Sequence, residues 1–382
     1  MTTEMKPAWC LITPEYPPSL GGVADYTRLM AIHLAAAGEQ VTVLAPSGLE
    51  SADDAGVRVA KVLGGFGPMG WWNGGRVLAT LPRPRRLFLQ WVPHGYGFKS
   101  LNLFLPLWLI WRVMIRRDQL WIMVHEPFLS FANSVRQRLA ACIHRGMVWT
   151  LLRLANRAFA GNRTWIAALE PWRPRRLAVE WLPVPSNVPV VKNPTATAVI
   201  RHQTAGPDGL VGHFGTYGAH TRGVLEEPLR LLLEREPGVN ALLLGKNGDL
   251  FCADFLQANP HLANRITAPG TMPLEQISIH LAAIDVMLQA YTGGISTRNT
   301  SLMACLEHNL ATTATTGHVT DPQWSEWRAV ELIPLERAAD MAAIASRLLH
   351  DPIERAALAS RGRDLMERDI SWPANARRLL GK

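Results

Sequence analysis

Short apolar runs alternate along the chain with longer segments of helical spacing. The run 9–13 predicts a first strand. Pro14, Pro17 and Pro18 then forbid a helix until Gly21 and Gly22. From Val23 the apolar positions Leu29, Met30, Ile32, Leu34 and Ala35 predict a helix that Gly38 stops, and QVTVLA at 40–45 predicts the next strand. Strand, helix, strand with short joints is the unit of a parallel sheet. Residues 87–92 and 120–124 read as further buried strands, with Arg157–Ala160 a candidate for another. Pro183, Pro185, Pro189 and Pro194 break the pattern and read as an interdomain linker. A second series follows: strands at 210–214, 239–244, 284–288 and 311–314, with helices at 223–233, from Ser301, at 340–349 and at 352–369. The pattern predicts an α/β fold of two Rossmann-like doubly wound domains.

The most apolar segment is LNLFLPLWLIWRVMI at 101–115, followed by Arg116 and Arg117. It is too short to span a bilayer, which takes about 20 apolar residues. It reads as a buried helix; the alternative is a helix lying at a membrane surface, which Trp108, Trp111 and the arginines suit.

Composition sharpens this picture. The chain has 382 residues, 48% of them hydrophobic and 18% charged, which excludes disorder and fits about two domains. The net charge of +8 is uneven. Residues 1–191 carry 21 Lys/Arg against 11 Asp/Glu, and the remainder 18 against 20. Eleven of the 14 tryptophans lie in the basic half. Cys10, Cys142, Cys252 and Cys305 are scattered, with no metal-ligand or disulfide spacing, and suit a reduced cytoplasmic setting. No basic-then-apolar leader opens the sequence.

Gly21 and Gly22 stand between a strand end and a helix start, where backbone can approach a ligand and the helix N-terminus favours negative charge. A plain structural turn is the competing reading. The run PPSLGGVADYTRLMAIHLAAAGEQVTVLAP, and later LVGHFGTYGAHTRG, LLLGKNGD and DVMLQAYTGGISTRNTSLMACLEHNLATTATTG, resemble the two-Rossmann-domain (GT-B) glycosyltransferases of the large retaining family 4 type. The resemblance implies an acceptor-binding domain at 1–190 and a nucleotide-sugar domain at 191–365. It also implies a C-terminal helix at 366–382 packing back on the first, and an interdomain cleft.

On the donor side the resemblance places Arg222, the glycine loop offers Gly22, and Lys246 follows Gly245 at a strand C-terminal end, the usual ligand edge; the polar loop Ser296, Thr297, Arg298, Asn299, Thr300 and Ser301 suits a diphosphate. Helix capping and a solvated Arg222 are the structural alternatives. The family's two glutamates, eight residues apart, fall at Gly293 and Ser301, so both carboxylates are absent. On the acceptor side His125 and Glu126 follow a buried strand. His125 is the candidate proton acceptor and Glu126 the carboxylate to orient it, against a packing or turn-capping histidine. Gly21, Asp25, His94 and Tyr96 are the acceptor-loop candidates, Asp25 also reading as a helix-dipole residue.

The resulting expectation is metal-independent transfer of a sugar from a UDP- or GDP-linked donor, with no other cofactor. The acceptor would be a saccharide or lipid-linked hydroxyl in cell-envelope or exopolysaccharide synthesis. The basic half suits peripheral contact with an anionic inner membrane face. The alternative is a non-catalytic homologue serving as a nucleotide-binding or scaffold partner in polysaccharide assembly. A dinucleotide oxidoreductase is disfavoured because the glycine loop lacks a third glycine, and a nucleic-acid reader because the basic residues match no binding motif.

Overall fold

The computed structural model describes residues 6–19, 21–47, 54, 56–98, 101–129, 131 and 134–381. The chain divides into two compact units, Met1–Pro183 with Asn375–Lys382, and Val184–Ala374. The first break falls among the linker prolines.

The first unit is built on seven parallel strands: β1 (Ala8–Ile12), β2 (Val41–Ala45), β3 (Val57–Lys61), β4 (Arg85–Trp91), β5 (Gln119–Val124), β6 (Arg157–Ala160) and β7 (Val179–Trp181). Their order is β3-β2-β1-β4-β5-β6-β7. Central strands such as β1 and β2 are buried along their whole length, as expected where helices cover both faces of a parallel sheet. Its helices are α1 (Gly22–Ala36), α2 (Pro68–Ala79), α3 (Phe104–Met114), α4 (Val135–Leu154) and α5 (Arg163–Leu169).

The second unit repeats the plan with β8 (Gly209–Phe214), β9 (Val239–Leu244), β10 (Ile266–Gly270), β11 (Val286–Gln289), β12 (Ala311–Thr316) and β13 (Glu331–Pro334), ordered β10-β9-β8-β11-β12-β13. Every strand pair in it is parallel. Its helices are α6 (Pro194–Thr204), α7 (Ala219–Arg235), α8 (Gly248–Ala258), α9 (Leu274–Leu281), α10 (Thr300–Glu307), α11 (Gln323–Trp327), α12 (Asp340–His350) and α13 (Pro352–Leu365). A final helix, α14 (Trp372–Leu380), carries the chain back to the first unit, where the Asn375 amide donates to the Pro183 carbonyl at 2.6 Å and Arg157 to that of Leu379 at 3.1 Å.

The apolar segment at 101–115 departs from a fully buried helix. Leu105 and Leu109 of α3 are buried in the core, whereas Phe104, Leu107, Ile110, Trp111 and Met114 are exposed. Among the described residues no helix is long and apolar enough to cross a membrane.

In the second unit the carboxyl of Glu307, at the end of α10, lies beside Ser186, whose carbonyl accepts from the Trp372 indole at 2.7 Å. Burial pushes this carboxyl from its ordinary 4.5 up to about 7, the Ser186 hydrogen bond opposing the shift. The folded chain therefore holds a proton that the unfolded chain releases first. The contribution is fully present below about pH 4.5 and is lost as pH rises through about 7. Glu307→Gln should remove this slope and, at pH 8, raise stability by about 2 kcal/mol after allowance for partial exposure. Denaturant unfolding of both proteins across this range checks it, and parallel curves would refute it.

Candidate functional site

In the second unit the strand order reverses between β8 and β11. Ligands of doubly wound sheets bind beyond the strand C-termini at such a point. The segments leaving β8, β9 and β10, with the start of α10, line a cavity of about 280 Å³ there. Lys246, Thr300 and Ser301, three of the expected donor residues, meet in it with Gly215, Thr216 and Thr271. The glycine before Lys246 is dictated by geometry. Gly245 has φ +109°, and a Cβ there would stand 2.2 Å from the Gly215 carbonyl oxygen. Lys246 is thereby drawn against the β8 loop, and its carbonyl accepts from the Tyr217 amide at 3.1 Å. Beneath the loop lies His213, buried and pushed down to about 4 by desolvation; its Nδ1 donates to the Leu288 carbonyl at 2.7 Å, so the ring is neutral.

The polar loop before α10 divides its work. Asn299 Oδ1 accepts from the Ser296 amide at 2.7 Å and the Ser296 hydroxyl at 3.0 Å, and the Thr297 carbonyl accepts from the Val184 amide at 2.9 Å. Ser296 and Thr297 are buried. These residues and half-buried Arg298 stand outside the cavity lining; Thr300 and Ser301, at the helix start, face it. Arg222 also stands outside it: in α7 it is ion-paired with Asp254 of α8, and its Nε lies 3.3 Å from the Tyr217 carbonyl.

The two positions that lack glutamates lie in closely packed surroundings. A Cβ on Gly293 would approach His318 at 3.3 Å and Val319 at 3.4 Å, and one on Gly294 (φ +82°) would meet the Gly317 nitrogen at 2.1 Å. The loop after β11 thus packs flush on the loop after β12. Ser301 Oγ lies 2.8 Å from the Tyr291 hydroxyl, which donates to Gln289 Oε1 at 2.7 Å. A phenol has one proton, so Ser301 donates to Tyr291 and keeps its lone pairs for a ligand. Burial raises the Tyr291 hydroxyl well above its usual range and keeps it protonated. Sequence reading missed Gln289 and Tyr291, although their spacing places both on one side of the chain as it leaves β11.

In the first unit the order reverses between β1 and β4. His125 follows β5 directly, is 7% exposed, and packs edge-on to Tyr26 with centroids 4.8 Å apart. Its Nε2 lies 3.0 Å from Gln90 Oε1, and the Gln90 amide nitrogen lies 3.5 Å from the Phe88 carbonyl. That orientation makes Nε2 the donor. Gln90, fully buried, holds the ring in the way expected of Glu126, which is exposed.

His94 is exposed on the loop after β4, 6.0 Å between ring centroids from buried His144. Tyr96 is buried, its hydroxyl 2.7 Å from the Gln90 carbonyl and 3.2 Å from that of Ile12, so it braces β1 against β4 and presents no surface. Asp25 lies half-buried in the first turn of α1.

The start of α1 is not open to an anionic ligand, contrary to the expectation for Gly21 and Gly22. Glu15 Oε1 accepts from the amides of Val23 at 3.0 Å and Ala24 at 3.1 Å. A Cβ on Gly21 would overlap that carboxylate at 2.2 Å, which explains the glycine. Among the described residues no group of three or more His, Cys, Asp or Glu is placed to hold a metal ion.

No protein-family profile matches the chain, and no curated protein matches it. Solved structures do. A glycosyltransferase from Rickettsia africae superposes with TM-score 0.70 at 12% identity, covering 99% of this chain and 98% of that one. Sucrose-phosphate synthase from Thermosynechococcus elongatus gives 0.68 at 15%, covering 98% of each. Anabaena HepE in complex with UDP-glucose gives 0.66 at 16%, covering 98% of each. The chain therefore has the GT-B fold of these glycosyltransferases, two Rossmann-like units in one polypeptide.

Proposed function

We propose that the protein is a glycosyltransferase that moves a sugar from a nucleotide-sugar to a hydroxyl acceptor, the second unit holding the donor and the first the acceptor. The observation that carries this reading is the cavity beyond β8 and β9, where Lys246, Ser301 and the N-terminus of α10 converge. Lys246 and the helix N–H groups suit a diphosphate, and Ser301 suits a ribose hydroxyl. They stabilise the leaving diphosphate without a metal. In the transfer the bond from the anomeric carbon to the diphosphate oxygen breaks, the acceptor oxygen takes that carbon, and His125 takes the acceptor proton. HepE bound to UDP-glucose supports a uridine donor, with a GDP-sugar as the alternative. The reading extends to an enzyme of the cytoplasm that resembles the family 4 type, with a saccharide or lipid-linked acceptor in cell-envelope or exopolysaccharide synthesis.

The empty glutamate position at Gly293 favours a second reading, a nucleotide-binding partner without turnover. A thermal-shift screen of UDP- and GDP-sugars separates the cases. A true donor at 100 times its Kd adds about 2.7 kcal/mol of stability. Donor binding followed by product release supports the enzyme, binding without turnover supports the partner, and no shift from any nucleotide removes both.

A further inference from the structure

We propose that the face formed by α2 and α3 docks on a lipid bilayer that carries anionic headgroups. The two helices meet through Trp71 and Trp108, whose rings lie 5.2 Å apart, and an apolar cavity of about 600 Å³ opens along their junction. Outward from it the large apolar side chains are bare. Trp72 is 68% exposed, Leu107 61% and Ile115 68%, with Met69, Phe104 and Met114 beside them. A contiguous bare patch of this kind marks an interaction surface.

Charge decides the partner. Between Asp54 and Asp118 the chain has ten Lys/Arg and no acidic residue. Arg76 and Arg116 line the cavity with Trp72 and Trp111, and exposed Arg117 follows. The Arg116 guanidinium lies 5.7 Å from the Trp111 ring. Asp118, the acid nearest to this end, is consumed in an ion pair with buried Arg112. A second copy of the chain would bring arginines against arginines. Aliphatic side chains to insert, tryptophans for the headgroup boundary and arginines for anionic phosphates are the chemistry of a helix lying in a membrane interface. The inference stands apart from sugar transfer, because its test contains no nucleotide-sugar.

The full chain is floated with vesicles of phosphatidylcholine alone and of equal parts phosphatidylcholine and phosphatidylglycerol, at low and high salt. Retention is expected on the anionic vesicles at low salt, reduced on the neutral ones. The variant Trp72→Ser/Leu107→Ser/Ile115→Ser changes exposed positions only and should lose at least tenfold in retention with an unchanged unfolding midpoint. Arg76→Glu/Arg117→Glu should lose the preference for anionic vesicles. Absence of wild-type retention at low salt overturns the proposal, as does a triple variant that floats like the wild type. So does a wild-type oligomer in solution that the triple variant dissolves, which assigns the face to self-association.

Discussion

Alanine at position 246 is expected to weaken nucleotide-sugar binding by ten- to hundredfold while leaving the unfolding midpoint in place. Lys246 is exposed and makes no side-chain ion pair among the described residues, so its loss costs the fold little. Its backbone, by contrast, is fixed: Gly245 fits against the Gly215 carbonyl and Tyr217 donates to the carbonyl of Lys246 itself. A charged donor held over a cavity of about 280 Å³ gives a diphosphate a charge-assisted hydrogen bond of roughly 1.5–3 kcal/mol, about ten- to hundredfold in Kd. Arg222→Ala supplies the contrast. Its guanidinium is engaged with Asp254, on a pair whose acid is largely exposed, so the variant should shift donor affinity less than threefold, about 0.6 kcal/mol or under. Calorimetric titration of both variants with UDP- and GDP-sugars decides between them. If Arg222→Ala loses the ligand and Lys246→Ala does not, the diphosphate sits at the start of α7 and the cavity is not the donor site.

The contrast between these two side chains shows how far linear pattern reaches. β1 and β2 are buried on both faces and read as continuous apolar runs, and the helix after Gly22 keeps its spacing to Ala36. Edge strands carry no such signal. β3, with its last three residues half-buried, and β13 were not readable as strands. Nor was α2, whose three glycines argue against a helix and which forms because Gly70 and Gly74 pack closely on Leu63.

Candidate residues followed the same rule. Motif position locates Lys246 and His125 just beyond strand ends and Ser301 at the start of α10, since the order of elements alone sets that edge. What each side chain touches depends on pairs distant in sequence. Glu15 closes the start of α1, Tyr291 holds Ser301, and Gln90, 35 residues before His125, sets its ring. Glu126 is adjacent in sequence but exposed, whereas Gln90 is buried against the ring.

His125→Ala is expected to lower sugar transfer by about 10²–10⁴-fold with donor affinity unchanged, the range for removal of a positioned general base. Gln90 Oε1 can only accept, so it holds the imidazole with Nε2 protonated and fixes the ring that meets the acceptor hydroxyl. Gln90→Leu keeps the volume and removes the acceptor, freeing the ring to turn and to swap tautomers. Its turnover should fall less than that of His125→Ala, and the rising limb of its pH–rate profile should move, which a merely structural role would not produce. Turnover and donor binding measured on the same preparations separate the outcomes. Loss of donor affinity in His125→Ala would mean that the residue supports the fold and not the proton transfer. Unchanged turnover would leave the acceptor proton to another group, with exposed His94, on the loop after β4, the next histidine to test.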